Sequence, residues 1–456
     1  MTTFDPSSVD RLTFSDCRWD AETGEATLGY ELGERHFIER LRFPGVPDPA
    51  GVCRAALESA LRLAQWLAGV SYFKAALPPS VAFSQAQPGP LGRVLLGEVY
   101  RHGLAEMTFR SGLTPPPVTL FESATAAEPG LGIAGTVSRP TGSGVVVPLG
   151  GGKDSLVTCD ALHRAGIAFR TVAVGSSTLI QDMAELLETQ GYSQGHLQIG
   201  RTIDPELLAL NRSGAYNGHV PITAVLAGIM LVAGVLYRFD TVIMSNERSA
   251  DAANLELANG EQVNHQYSKS AAFERRFQEA VEREVLQGFR YFSLLRGASE
   301  VAIARRFASL ATWHQHFSSC NRNFHLDGSP VEGRWCRNCP KCRFVFLALA
   351  PHLSPDELLP IFGGDLLDDP LQEAGFRALC GLDEIKPFEC VGEVEESAAL
   401  MRALASDPSW RDRAVVAALA DEVADAPSLE GFYEEVSVGT VPPEFQHALI
   451  DQRLAG

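Results

Sequence analysis

"VVVPLGGGKDSLVTCDAL", residues 145–162, decides how the chain is read. Val145 to Leu149 is a short apolar run of the kind that forms a strand buried on both faces. Gly150, Gly151 and Gly152 then permit backbone angles that other residues resist and let a ligand approach the main chain. A helix-like pattern follows, and Asp154 or Ser155 is placed to cap it. Strand, glycine loop and helix N-terminus together make an anion site, usually for phosphate. A tight turn with incidental glycines is the bland reading, and three glycines followed by Lys153, Asp154 and Ser155 argue against it.

The loop lacks the Walker spacing G-x-x-x-x-G-K-[ST] and the dinucleotide spacing G-x-G-x-x-G. It resembles the S-G-G-x-D-S loop of the PP-loop ATP pyrophosphatases, with Gly150 in place of the usual Ser. That resemblance implies that Gly150, Gly151, Gly152, Asp154 and Ser155 bind the phosphates of ATP and that AMP passes to a substrate oxygen. Lys153 and Asn246 join the expected cofactor-binding set.

From Val145 onward strands and helices alternate. Strands are expected at 145–149, 169–174, 196–199, 240–244 and 291–295. This order predicts an α/β fold with a doubly wound parallel sheet and ligands at the carboxyl ends of its strands. The PP-loop resemblance makes it HUP-like. Residues 1–140 read as an N-terminal α+β domain. It holds a hairpin about Gly33 in "ATLGYELGERHFIERLRF" and a helix running to Pro78. "SRPTGSG" reads as a linker. Residues 145–350 form the expected ATP-binding catalytic domain, and 351–456 a helical C-terminal region.

The 456 residues carry 38 Lys and Arg against 56 Asp and Glu, a net charge of -18. This argues against a broad nucleic-acid or anionic-membrane surface and leaves room for a local basic pocket. The opening "MTTFDPSSVDRLTF" lacks the apolar core of a signal peptide, so a cytoplasmic location is expected. Val220 to Tyr237 is apolar throughout. Pro221 suits a first helical turn and "FDTVIM" follows as a strand, so a helix buried within the fold is the better reading than a membrane span.

"MSNERSADAANLELANGEQVNHQYSKSAAFE", from Met244, gathers polar chemistry after a strand end, and His219 precedes the neighbouring helix. Any one of these residues alone reads as an ordinary loop residue. As a group they read as a site. Glu247 suits magnesium (Mg2+); His265, Tyr267 and Lys269 suit proton transfer or anion binding, since alternate residues of an extended segment share a face. Cys320, Cys336, Cys339 and Cys342 have C-x15-C-x2-C-x2-C spacing. Structural zinc (Zn2+), an iron–sulfur cluster and buried free thiols are the three readings. Cys17, Cys53, Cys159, Cys380 and Cys390 are scattered and read as small core residues.

"GGGKDS", "NGHVPITA", "SNERSA", "VNHQYSKS", "CNRNF" and "WCRNCPKC" together resemble the UDP-N-acetylmuramoyl-L-alanyl-L-glutamate epimerase family. The resemblance implies that ATP and magnesium are used to convert the terminal L-Glu of a UDP-linked muramoyl dipeptide to D-Glu, releasing AMP and diphosphate, in peptidoglycan synthesis. It assigns no acid or base and no protein partner. The chemistry is coherent. An α-proton beside a free carboxylate resists removal, and adenylation converts that carboxylate into a carbonyl that delocalises the carbanion. The adenylate is either deprotonated directly or first closed to an oxazolone by the preceding amide oxygen. Two alternatives stay open: a PP-loop ligase or nitrile synthase acting on a small acid, whose zinc site the cysteines also resemble, and a non-catalytic ATP-binding regulator.

Overall fold

The structure is a computed structural model that describes residues 4–48, 51–126, 142–257, 260–324, 331, 333–383, 386–436 and 439–450. Strands β1 (Arg11–Asp20), β2 (Glu25–Leu32) and β3 (Arg35–Arg42) form an antiparallel meander. The hairpin expected about Gly33 joins β2 to β3, and Gly33 takes a φ of 63° in its turn. The helix read as far as Pro78 stops earlier. Helix α1 spans Arg54–Ala68, one short turn Val70–Phe73 follows, and the chain then bends. At that bend the buried Lys74 ammonium donates to Asn211 Oδ1 (3.0 Å) and Asn217 Oδ1 (2.9 Å), tying this turn to the segment before His219. Strand β4 (Ser80–Phe83), helix α2 (Pro90–Gly103), the short helix Ala105–Arg110 that carries Glu106, a 3-10 turn at Val118–Phe121 and strand β5 (Thr125–Ala126) follow. The "SRPTGSG" linker lies largely outside the described residues.

The five strands expected after Val145 are present. They are β6 (Val145–Pro148), β7 (Arg170–Val174), β8 (His196–Thr202), β9 (Thr241–Met244) and β10 (Arg290–Ser293), all mutually parallel. Between them lie α3 (Lys153–Arg164), α4 (Thr178–Thr189), α5 (Ile222–Tyr237) and α6 (Ala271–Glu284). Helices α7 (Glu300–Ala308), α8 (Pro340–Leu349) and α9 (Val394–Ser406) follow. Among the described residues one mixed, mostly parallel sheet runs β10-β9-β6-β7-β8-β3-β2-β1-β4-β5. It takes in strands from both sides of the boundary expected near residue 140. β8 runs on to Thr202 because Gly200–Thr202 pair antiparallel with Arg40–Arg42 of β3.

Successive strand residues face opposite sides of a sheet. Val146, Val172 and Val242 belong to a core shared with α1, α5 and α6. Val147, Ala173 and Ile243 belong to a second core with α3, α7, α8 and the C-terminal helices. Both faces are therefore covered. Helix α5 is apolar all round because α1 covers the side that the sheet does not. A Cβ on Gly228 would come within 2.9 Å of Ala64 Cα, so glycine sets that close approach. Among the described residues no helix is long and apolar enough to cross a membrane.

Within the parallel part the strands run third, second, first, fourth, fifth in chain order, counted from β8 to β10. The order reverses between β6 and β9. Chains leave these two strands in opposite directions, which opens a crevice at their carboxyl ends. The glycine loop leaves β6 there, and the loop beginning at Ser245 leaves β9.

Candidate active site

The glycine loop is held from both sides. Gly151 has a φ of 82°, which glycine adopts without strain, and its carbonyl accepts from Ser318 N at 2.9 Å. A Cβ on Gly152 would fall 2.7 Å from Ser319 Oγ, so the segment before Cys320 presses on the loop. Gly152 is the N-cap of α3 and has no side chain to cap it. The caps expected from Asp154 or Ser155 are absent: Ser155 Oγ donates back to Gly152 O at 3.2 Å, and Asp154 pairs with Lys153.

Lys153 is 1% exposed, and its ammonium is paired with both Asp154 and Glu300. Asp154, Glu247 and Glu300 each place a carboxylate oxygen within 4.8 Å of the others'. Burial works against the charge on Asp154, but Lys153, Lys341 and Lys269 outweigh it and hold its carboxyl below the ordinary range. Burial dominates at Glu300 and pushes it up to about 7, with Asp154 and Glu247 adding repulsion. Glu247 was expected here. Glu300 was not, although it opens α7 at the end of the turn that follows β10.

Asn246 is buried and donates to Glu274 Oε1 at 3.3 Å, so its side chain is engaged in the scaffold. Arg296, also buried, donates to Glu274 Oε1 (2.7 Å), to the carbonyl of Glu247 (3.0 Å) and to that of Lys269 (2.5 Å). One guanidinium thus fixes two backbone segments of the site.

His265 and Lys269 come together, and Tyr267 leaves them. Tyr267–Lys269 is a 3-10 turn, so these residues do not alternate as a strand would. The Tyr267 hydroxyl donates to Glu98 Oε2 at 3.1 Å, in a separate cleft of about 430 Å³ lined by His102 and Arg276. His265 Nδ1 meets Glu106 Oε2 at 2.5 Å. The His219 ring lies against that of His265, with centroids 4.1 Å apart. Burial and the neighbouring His265 push His219 down to about 3. Burial also works against a charged His265, but hydrogen bonds to Cys390 and Glu106 raise it to about 9.

Cys390, read as a core residue, is half-buried and belongs to this cluster. Lys269 Nζ donates to its sulfur at 3.1 Å. The strap 386–392 carries it in from the C-terminal region, anchored by Asn254 Nδ2 on Pro387 O (3.1 Å) and by Asn321 on Glu389.

The four motif cysteines converge, with ligand atoms within 4.8 Å of one another. Cys336 and Cys342 sulfurs are 3.7 Å apart, and Cys339 and Cys342 sulfurs 3.4 Å. Sulfurs on a tetrahedral zinc with ~2.3 Å bonds would lie roughly 3.8 Å apart. Arg337 takes a φ of 59° in the turn between the cysteines. Lys341, between Cys339 and Cys342, sends its charge to Asp154, Glu300 and Cys390.

A charged crevice at the switch point of a parallel sheet, lined by residues from several strand ends, is what an α/β enzyme builds for a polar substrate. Models described as the MurL N-terminal domain and the MurL C-terminal domain match residues 3–294 and 316–431. A relative from Xanthomonas oryzae pv. oryzae, named UDP-N-acetyl-alpha-D-muramoyl-L-alanyl-L-glutamate epimerase, is 44% identical, covering 91% of this chain and 90% of its own. Relatives of the same name from Salinispora tropica and Micromonospora sp. are 41% and 40% identical. They cover 91% and 97% of this chain, and 90% and 98% of their own. The chain belongs to this epimerase family, whose named members are isomerases.

Proposed function

We propose that the chain epimerises the terminal glutamate of a UDP-N-acetylmuramoyl-L-alanyl-L-glutamate, the substrate that its relatives' name states, after ATP has adenylated the glutamate carboxylate. The observation that carries this reading is the meeting of the glycine loop with Asp154, Glu247 and Glu300 at the strand-order switch point. In it, Gly150, Gly151, Gly152, Lys153 and Ser155 bind the phosphates of ATP as a PP-loop does. The uncapped start of α3 gives amide donors and a favourable dipole for them. Asp154, Glu247 and Glu300 would hold magnesium, whose charge would offset that of the diphosphate. Lys269 and Lys341 face the carboxylate that is activated. His265, oriented by Glu106, serves in proton transfer.

Cys320, Cys336, Cys339 and Cys342 hold zinc in a structural role. It locks the turn that carries Lys341 and the segment that presses on Gly151 and Gly152. The cytoplasm, where nucleotide-linked precursors and ATP coexist, is the proposed location. The test supplies substrate, ATP and magnesium in deuterium oxide. Substrate-dependent diphosphate release together with deuterium at the glutamate α-position is expected. Diphosphate release with no α-deuterium would point to a ligase and sink the epimerase reading. Neither signal would leave a nucleotide-binding regulator.

A further inference from the structure

Cys390 has the company of a nucleophile. Its sulfur accepts from Lys269 Nζ at 3.1 Å, and its charge is coupled to that of the His265 imidazole. Nδ1 of His265 is taken by Glu106 at 2.5 Å, so Nε2 is the ring nitrogen that the carboxylate does not hold. The backbone N–H of His265 is in turn held by Asn254 Oδ1 at 2.9 Å. Nucleophile, base and a third group that orients the base form the pattern of acyl-transfer enzymes, recognised by geometry and not by chain order. Burial pushes the Cys17 and Cys380 thiols up to about 12. At Cys390 burial acts the same way, but Lys269, His265 and Lys341 outweigh it and bring the thiol down to about 6. Packing alone does not call for a thiol beside an ammonium and an imidazole.

We propose that Cys390 takes the glutamyl group from AMP, so that the α-carbon is epimerised while held as a Cys390 thioester. This rests on the adenylation reading given above. The thiolate attacks the adenylate carbonyl carbon. A C–S bond forms, the C–O bond to the AMP phosphate breaks, and AMP leaves with that electron pair. Sulfur overlaps poorly with the carbonyl, so the α-proton of a thioester is more acidic than that of an ester or a carboxylate. Acylation also removes the negative charge that His265 faced. The imidazolium then keeps Glu106 and the weaker influence of Glu389, releases its proton to solvent and becomes a base beside the thioester. It takes the α-proton, leaving an enolate that is protonated from either face. Water then attacks the carbonyl, the C–S electrons return to sulfur, and a carboxylate and the thiolate are restored. The sum is one ATP and one water converted to AMP and diphosphate per passage, with no oxidant or reductant.

The full chain, supplied with the UDP-linked muramoyl dipeptide, ATP and magnesium, is quenched in acid across its first turnover and weighed intact. A mass gain equal to the substrate less one water is expected, dependent on ATP and mapping to the Cys390 peptide. Neutral hydroxylamine should remove it. Cys390→Ser should lose the adduct and lose α-deuterium incorporation by about 100-fold or more, while substrate-dependent ATP–diphosphate exchange continues. Absence of the adduct at every time, while α-deuterium accumulates, overturns the thioester. So does a Cys390→Ser protein that incorporates α-deuterium at the wild-type rate. A wild-type protein without ATP–diphosphate exchange would instead defeat the adenylation reading. The adduct measurement uses the unaltered protein, so it stands even if a variant fails to fold.

Discussion

Lys269→Met tests whether the sulfur 3.1 Å from that ammonium is a thiolate. Burial raises the Cys390 thiol; Lys269 is the largest opposing influence, followed by His265 and Lys341, and the net result is about 6. A thiol titrating at about 6 is about 90% thiolate at pH 7, whereas one at the ordinary ~8.5 is about 3%. Full loss of the depression would therefore slow alkylation about 30-fold. His265 and Lys341 stay in place, so a fall of about 3- to 30-fold at pH 7 is expected. The sign is fixed by the chemistry. The reactive form exists above the thiol's pKa, so wild-type reactivity is lost as pH falls through about 6, and the variant loses it at higher pH. The assay is timed iodoacetamide labelling over about pH 5 to 9, read on the Cys390 peptide, with the Cys17 peptide as an unreactive internal standard. Lys269→Arg should keep most of the wild-type profile. A wild-type half-point above about 8, or an unchanged half-point in Lys269→Met, would refute the reasoning.

Three further tests address the rest of the site. Arg296→Met leaves Glu274 buried without its cation and should cost about 3–5 kcal/mol in urea unfolding; adding Glu274→Gln should recover part of it, and a loss below about 1 kcal/mol would contradict the role of that pair. Protein purified without air should carry about one zinc per chain, and Cys339→Ser should lose both metal and stability; a brown, iron-containing protein would replace zinc with a cluster, and a metal-free one would end the site. Asp154→Asn should fold yet release diphosphate at least about 100-fold more slowly, and a folded variant with normal release would remove Asp154 from the phosphate site.

What could be read from the chain was what local pattern encodes. The glycine loop, the five parallel strands, the Gly33 hairpin and the cysteine spacing each lie within a few consecutive residues. The pairing of β8 with β3 could not be read, because it joins segments about 160 residues apart that share no motif. Glu300 looks like an ordinary acid in the first turn of a helix, and only the fold sets it against Lys153. Arg296 sits in "LLRGAS" with no signal of the three partners it holds. Cys390 belongs to no spacing pattern, and its neighbours Lys269 and His265 arrive from elsewhere in the chain. The shared face expected for His265, Tyr267 and Lys269 failed because a 3-10 turn rotates about 120° per residue instead of alternating.

Lys269 occupies the junction of the two halves of the site. Its ammonium meets Cys390, its charge is felt at Asp154, and its carbonyl shares Arg296 with the carbonyl of Glu247. One buried guanidinium therefore holds the backbone on both sides of the site. The N-terminal match, residues 3–294, contains the glycine loop, Glu106, Glu247, His265 and Lys269 but lacks Arg296, Glu300, Lys341 and Cys390. The C-terminal match, 316–431, supplies Lys341 in the first turn of α8 and Cys390 on the strap. Arg296 and Glu300 lie in the stretch between the two matches, so neither half alone holds a complete set. Each half also contributes apolar residues to the second core, Val147 and Ile243 from one and Phe344 and Leu400 from the other. The apolar surface that makes the chain fold as a unit therefore also brings the Cys390 sulfur to the Lys269 ammonium.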